Sequence, residues 1–256
     1  MDDQSKQACS DVEEVFTELS KTGVTFWLMS GSALGAALIG RMLPGDRDVD
    51  LGIKKSDRER ITPAIGALKE KGFRVTERYD PINKEIKGMI TLRRNIPFDI
   101  KLYSCNEGIC WRALHKSHSY TSKLVWQCID TAYFQNKPPI KFQKRRYRIF
   151  SYILTRAVYY LANNEKMRAA IVNKLSTVWS RLKVEYGYEK LDASWFDSFK
   201  TISFYGREVM VFENLEKYLE SEYGEHWKEN KEEYSSGGWL KPSHKVTSPL
   251  VITGHR

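Results

Sequence analysis

The chain has 256 residues, with 41 Lys and Arg against 32 Asp and Glu, a formal net charge of +9. That length holds one large domain, or a domain with an appendage, and buries a full core. No apolar run approaches the roughly 20 residues of a membrane span, and Met1 to Ser20 is acidic with no hydrophobic centre, so the expectation is a soluble, cytosolic protein without a signal peptide. Cys9, Cys105, Cys110 and Cys128 show no C-x-x-C and no partnered His spacing, which predicts free thiols and no zinc. Charge is unevenly spread: the N-terminal helix and Glu208 to Glu233 are acidic, whereas Lys141 to Lys183 is strongly basic. Such a basic stripe suits nucleic acid, anionic lipid or a polyanionic substrate.

In chain order, Ser10-Asp11-Val12-Glu13 reads as a capping box, with Val12, Val15, Phe16 and Leu19 at helical spacing and Gly23 as the stop. Val24 to Met29 has strand length and β-rich composition. A Ser-Gly-Ser turn (Ser30 to Ser32) and a small-residue helix (Ala33 to Ile39) follow, and Pro44-Gly45 turns into Asp48-Val49-Asp50-Leu51-Gly52-Ile53. That last piece has period two, so Val49, Leu51 and Ile53 face one side and Asp48 and Asp50 the other. Two carboxylates about 4 Å apart repel by roughly 4 kcal/mol at an effective dielectric near 20. A divalent cation is the usual remedy, and oxygen ligands suit Mg2+ or Mn2+. Gly31 lets backbone approach a ligand, and amides at the start of the next helix attract phosphate. Phosphate cradle and metal carboxylates together describe a nucleotide-diphosphate site.

A second capping box, Ser56 to Glu59, precedes Ile61, Ile65 and Leu68 on one face and Gly72 as the stop. Strands are predicted at Phe73–Arg78, Ile86–Arg93 and Ile96–Tyr103; in the last, Phe98, Ile100 and Leu102 alternate with Asp99, Lys101 and Tyr103. Pairing beside the acidic strand would bring Asp99 to the carboxylate face. Trp111 to Ser119 reads as a further strand whose His115 and His118 lack a third ligand and are ordinary histidines. Asn136 to Ile140, with Pro138-Pro139, is the linker. Beyond it, helices are expected over Arg148–Ala162 and Met167–Val184, with a broad apolar face edged by arginine. Three readings of that face stay open: packing on the core, which is the default, lying on an anionic membrane surface, or binding nucleic acid. A strand at Glu208–Phe212 leads to Asn214 as cap, a helix over Leu215–Tyr223 and Gly224 as its end. Trp227 either stacks on a nucleotide base or caps the core.

The order strand, Gly-Ser, helix, turn, Asp-x-Asp strand is similar to the nucleotidyltransferase superfold, and within it to the LicD/fukutin family of phosphocholine and ribitol-phosphate transferases. The residues that carry this are Gly31-Ser32-Ala33-Leu34-Gly35, Leu43-Pro44 and Asp48 to Ile53, and Tyr223-Gly224-Glu225-His226-Trp227-Lys228 resembles the family's closing Tyr-Gly segment, with its tail at Ser235 to Pro249. The resemblance implies an α/β (α+β) fold: a small mixed nucleotidyltransferase-type sheet with flanking helices and a helical C-terminal part. It implies a catalytic core over 1–119, a basic helical insertion over 120–205, and a strand, helix and aromatic tail over 206–256 completing the site. Asp48, Asp50 and Asp99 would then be catalytic and hold Mg2+ or Mn2+, and Gly31, Ser32, Arg47, Lys101 and Trp227 would bind donor phosphate or nucleotide. The implied reaction moves a polyol phosphate or phosphocholine from CDP-ribitol, CDP-glycerol or CDP-choline to a glycan hydroxyl, the glycan surface-exposed or lipid-linked, and releases CMP. No nucleic-acid partner is implied, and the location is cytoplasmic or peripheral at the inner face of the cell membrane. The alternative enzyme moves NMP from an NTP to a small molecule or protein, and a non-catalytic binding protein is the third reading. The family's Arg-His pair is Leu38 and Ile39 here, its Trp is Gly45, and one acidic position is Arg47. These departures weaken the case for choline.

Overall fold

The computed structural model describes residues 3–79, 86–116, 120–134, 145–182 and 185–229. The linker expected at Asn136 to Ile140, His118 and the tail from Ser235 lie outside them. The described residues fall into two compact units, one drawn from 3–78, 87–113 and 188–229, the other from 79, 86, 114–116, 120–134, 145–182 and 185–187.

In the first unit, α1 (Asp3–Lys21) begins well before the expected capping box. Asp11 is therefore mid-helix, fully buried, and accepts bonds from Arg94 Nε at 2.9 Å, Asn95 N at 2.8 Å and Ile96 N at 3.1 Å. The carboxylate that looks like a helix start pins a distant turn, because a buried charge is stable only when its acceptor sites are filled. Next come β1 (Phe26–Leu28), α2 (Ser30–Ile39), β2 (Val49–Lys54), α3 (Thr62–Glu70), β3 (Arg74–Tyr79), β4 (Ile86–Arg93), β5 (Pro97–Asn106) and β6 (Ile109–Lys116). The Ser-Gly-Ser segment is the first turn of α2, not a separate turn before it.

Mixed α/β is the class, as the sequence indicates. After the strands β7 (Glu185–Asp192), β8 (Phe199–Phe204) and β9 (Arg207–Phe212), the sheet runs β3-β4-β5-β2-β1-β9-β8. β2 lies antiparallel to β1 and parallel to β5, so the acidic strand is central. Residues 193–204, placed on sequence in the helical segment, lie in the first unit, since β8 pairs along its length with β9. α7 (Leu215–Tyr223) packs on α2. The core holds Val49, Leu51, Ile53, Phe98 and Ile100, all fully buried, as the alternation predicts.

One expectation about cysteine fails. Cys105 and Cys110 form a disulfide with Cα atoms 4.0 Å apart, while Cys9 and Cys128 are free. The cause is local: Glu107 and Gly108 both have positive φ (48° and 80°), the type I′ geometry of a two-residue hairpin, and that register sets Cys105 directly opposite Cys110.

The second unit contains α4 (Tyr120–Phe134), α5 (Arg145–Leu161) and α6 (Glu165–Ser180). Leu124, Cys128, Ala132, Val158, Ala162 and Val172 form its core, and Trp126 lies 5.3 Å from Trp179, ring to ring. α4 falls within the span 120–205 expected to be helical, although no separate helix is delimited there from sequence. No helix among the described residues is long and apolar enough to cross a membrane.

Candidate functional site

Parallel pairing of β2 with β5 puts Asp50 directly opposite Asp99. Asp48 precedes β2 on the same side by the two-residue period. One carboxylate oxygen from each of Asp48, Asp50 and Asp99 lies within 4.8 Å of the other two, all half-buried. An all-oxygen set this tight fits a hard divalent cation.

Neighbouring strands and helices fix each carboxylate. Thr91, opposite Asp99 on β4, donates its hydroxyl to Asp99 Oδ1 at 2.6 Å. Lys101, two residues on from Asp99, places Nζ 3.0 Å from Asp50 Oδ2 and donates to Ser30 Oγ at 2.8 Å. It supplies the positive charge inside the acidic cluster. Asp50 N donates to Ser32 Oγ at 2.9 Å, and Met29 N donates to Asp50 O at 3.0 Å, so the start of α2 is fastened to the acidic strand. From the far end of the chain, Tyr218 on α7 accepts the Ser30 N–H at 2.9 Å.

A fourth carboxylate joins them. Asp46 Oδ2 lies only 2.7 Å from the place a Cβ on residue 31 would take, so residue 31 must be glycine for this acid to rest on the start of α2. The Arg47 N–H donates to Asp46 Oδ1 at 2.9 Å. Burial first, then the charge on Asp50, pushes Asp46 up to about 6, against the stabilising Arg47 amide. For Asp48, burial and the charges of Asp50, Asp99 and Asp46 push the carboxyl up to about 7.

The structure brings Asp48, Asp50, Asp99, Gly31, Ser32 and Lys101 together. Ser32 is buried at 1% exposure with its oxygen committed to the acidic strand, so it positions Asp50. Arg47 is exposed. Trp227 is 5% exposed, with Lys228 Nζ 5.4 Å from its ring centroid, and of the two readings its burial suits capping the core. Missed by sequence were Asp46, Thr91 and Tyr218. The Asp46-x-Asp48-x-Asp50 alternation carried a signal for the first, whereas Thr91 and Tyr218 had none until pairing was known.

A pH dependence follows for the metal-free protein. Asp48 binds its proton more tightly folded (about 7) than unfolded (3.8). No penalty exists below the unfolded value; it grows through the window between the two and is complete above the folded one. The melting temperature of Asp48→Asn in EDTA should therefore exceed wild type at pH 8 and converge with it near pH 4. A constant gap across that range would refute the assignment.

Residues 23–91 match the family model described as LicD/FKTN/FKRP, nucleotidyltransferase domain. The motifs at residues 31–35, 43–44 and 48–53 fall inside that span, in line with the resemblance read from them. Over 70 residues the chain is 43% identical to ribitol 5-phosphate transferase FKRP of Mus musculus and equally to that of Homo sapiens. The match covers 27% of this chain and 14% of those proteins, so the chain spans only a small part of the length of these relatives. A crystal structure of ANT(2")-Ia in complex with adenylyl-2"-tobramycin is 16% identical, with a TM-score of 0.32 over 66% of this chain and 98% of that one. A solution structure of antibiotic-resistance factor ANT(2'')-Ia is 13% identical, with a TM-score of 0.33 over 68% and 94%. Likeness this distant bears on neither substrate nor reaction.

Proposed function

We propose that this chain is a transferase that moves a phospho-head group from a CDP-linked donor to a hydroxyl of a glycan, surface-exposed or lipid-linked, releasing CMP, with Asp48, Asp50 and Asp99 holding a divalent cation. The observation that carries the reading is the convergence of those three carboxylates from two parallel strands. The relatives are named ribitol 5-phosphate transferases, which favours a polyol phosphate, as in CDP-ribitol or CDP-glycerol, over phosphocholine.

When bound, Mg2+ or Mn2+ supplies neutralisation of the donor diphosphate and of the charge that develops on the departing phosphate. The rest is done by the chain. Asp99, whose carboxylate Thr91 orients, takes the proton of the attacking hydroxyl as its oxygen bonds to the head-group phosphorus and the bond from that phosphorus to the CMP oxygen breaks. Lys101 holds Asp50 and restrains its carboxylate. The amides of Gly31 and Ser32, first-turn donors without an acceptor inside the helix, face anionic oxygen with the favourable end of the helix dipole. Positioning and electrostatics of this kind account for most catalysis of phosphoryl transfer.

The test is a thermal-shift screen with CDP-ribitol, CDP-glycerol, CDP-choline, CMP, CTP and ATP, in Mg2+ and in EDTA. A ligand at a hundredfold excess over its dissociation constant stabilises by about 2.7 kcal/mol. We expect the largest shift from one CDP-linked polyol, in Mg2+ only, and CMP as product. A shift from CTP or ATP alone, with pyrophosphate released, would replace this reading by nucleotidyl transfer.

A further inference from the structure

Helix α5 turns Ser151 and Thr155 inward beside Val158 while most of its large apolar side chains face outward. Ser151 and Thr155 point inward at 0% and 2% exposure, whereas Ile149, Phe150, Ile153, Tyr160 and Leu161 lie outward at 53–70%. The inward polar groups are satisfied locally: Thr155 Oγ1 donates to Ser151 O at 2.7 Å, and the Tyr120 and Ser151 hydroxyls share a hydrogen bond. A helix kept only for packing would turn its isoleucines inward. The outward residues recur at helical spacing and form one continuous apolar face.

Charge selects the occupant. α5 carries Arg145, Arg146, Arg148 and Arg156 and no acidic residue. Within the described face, the Arg156 guanidinium donates to the hydroxyls of Tyr152 and Tyr160 and lies 5.5 and 5.6 Å from their ring centroids. An arginine rising beside tyrosines from an apolar face reaches headgroups while its neighbours meet acyl chains. Pairing with a second copy through the same face would bring like charges together, since α5 has no acidic residue to offset its arginines, and nucleic acid gives isoleucines nothing to bury against.

We propose that the outward face of α5 is a peripheral membrane-binding surface that lies in the plane of a bilayer containing anionic lipid. It stands independently of the transferase reading. The test is co-sedimentation of the full chain with phosphatidylcholine vesicles, with and without phosphatidylglycerol. Binding is expected on the anionic vesicles, at least about tenfold stronger than on neutral ones and weakened by salt, since each arginine near an anionic surface contributes about fivefold. Arg156→Gln should cost about that factor. The pair Ile149→Ser with Ile153→Ser should lower binding about tenfold or more, with an unchanged melting temperature because both side chains are exposed. Vesicle binding unaffected by the isoleucine pair overturns the proposal. So does no binding at low salt, and so does a dimer, seen by light scattering, that the isoleucine pair abolishes while vesicles are ignored.

Discussion

Asp50→Asn and Asp99→Asn should each lower kcat by about a hundred- to a thousandfold, the range seen when one charge-stabilising group is removed from a preorganised site. Neither should unfold the protein. In the absence of metal both remove a negative charge that raises the proton affinity of Asp48. Melting temperatures in EDTA should therefore be unchanged or higher, and magnesium or manganese affinity by titration calorimetry should fall in step with kcat. The charge on Lys101 is not orphaned by Asp50→Asn, because Ser30 Oγ still accepts from Nζ and the remaining carboxylates stay close. Full turnover in either variant would remove these residues from the chemistry. A lower melting temperature with lost activity would make them structural.

How much of this the sequence disclosed depends on the range of the forces concerned. Alternation at Val49 to Ile53 and at Phe98 to Leu102 is a local signal, and both strands and their buried faces were legible from it. The pairing that sets Asp99 opposite Asp50 could be expected only by supposing that the two strands are neighbours. Asp11 shows the converse failure: a locally ideal capping pattern was overridden by partners at Arg94, Asn95 and Ile96. Asp46 was lost because Pro44-Gly45 reads as the end of one element, when that turn carries the carboxylate back onto Gly31. The Cys105–Cys110 bond was locally encoded after all, in a Glu-Gly turn too short to separate the two strands, but cysteine spacing counted without the turn does not reveal it. α5 was found as a helix with an apolar face; that the face is turned outward is a fact of packing, since periodicity gives amphipathicity but not direction.

Gly52→Ala should be the most destabilising single methyl that the acidic strand can receive. A Cβ there would stand 2.4 Å from Trp27 Cε2 and Nε1 and 2.7 Å from Cζ2, far inside van der Waals contact. Trp27 is paired with Gly52 across β1 and β2, fully buried, and enclosed by Phe196, Phe199 and Phe212 with centroids at 5.3, 5.0 and 5.8 Å. The ring has nowhere to retreat, so the strand must shift. Overpacking a close-fitted core typically costs about 1–3 kcal/mol, and an enclosed indole against central-strand backbone belongs at or beyond the upper end. Because Asp50 lies two residues away, lost activity alone would not distinguish a disturbed site from a disturbed fold. Denaturant unfolding does so, with Gly66→Ala as the reference: nothing lies within 4 Å of the Cβ added there, and in a helix interior that change is expected to stabilise by about 0.5–1 kcal/mol. Replacing Trp27 by Leu in the Gly52→Ala background should restore part of the loss, a non-additivity that marks direct contact. Equal stability of Gly52→Ala and wild type would show that β1 and β2 do not approach as closely as the glycine requires.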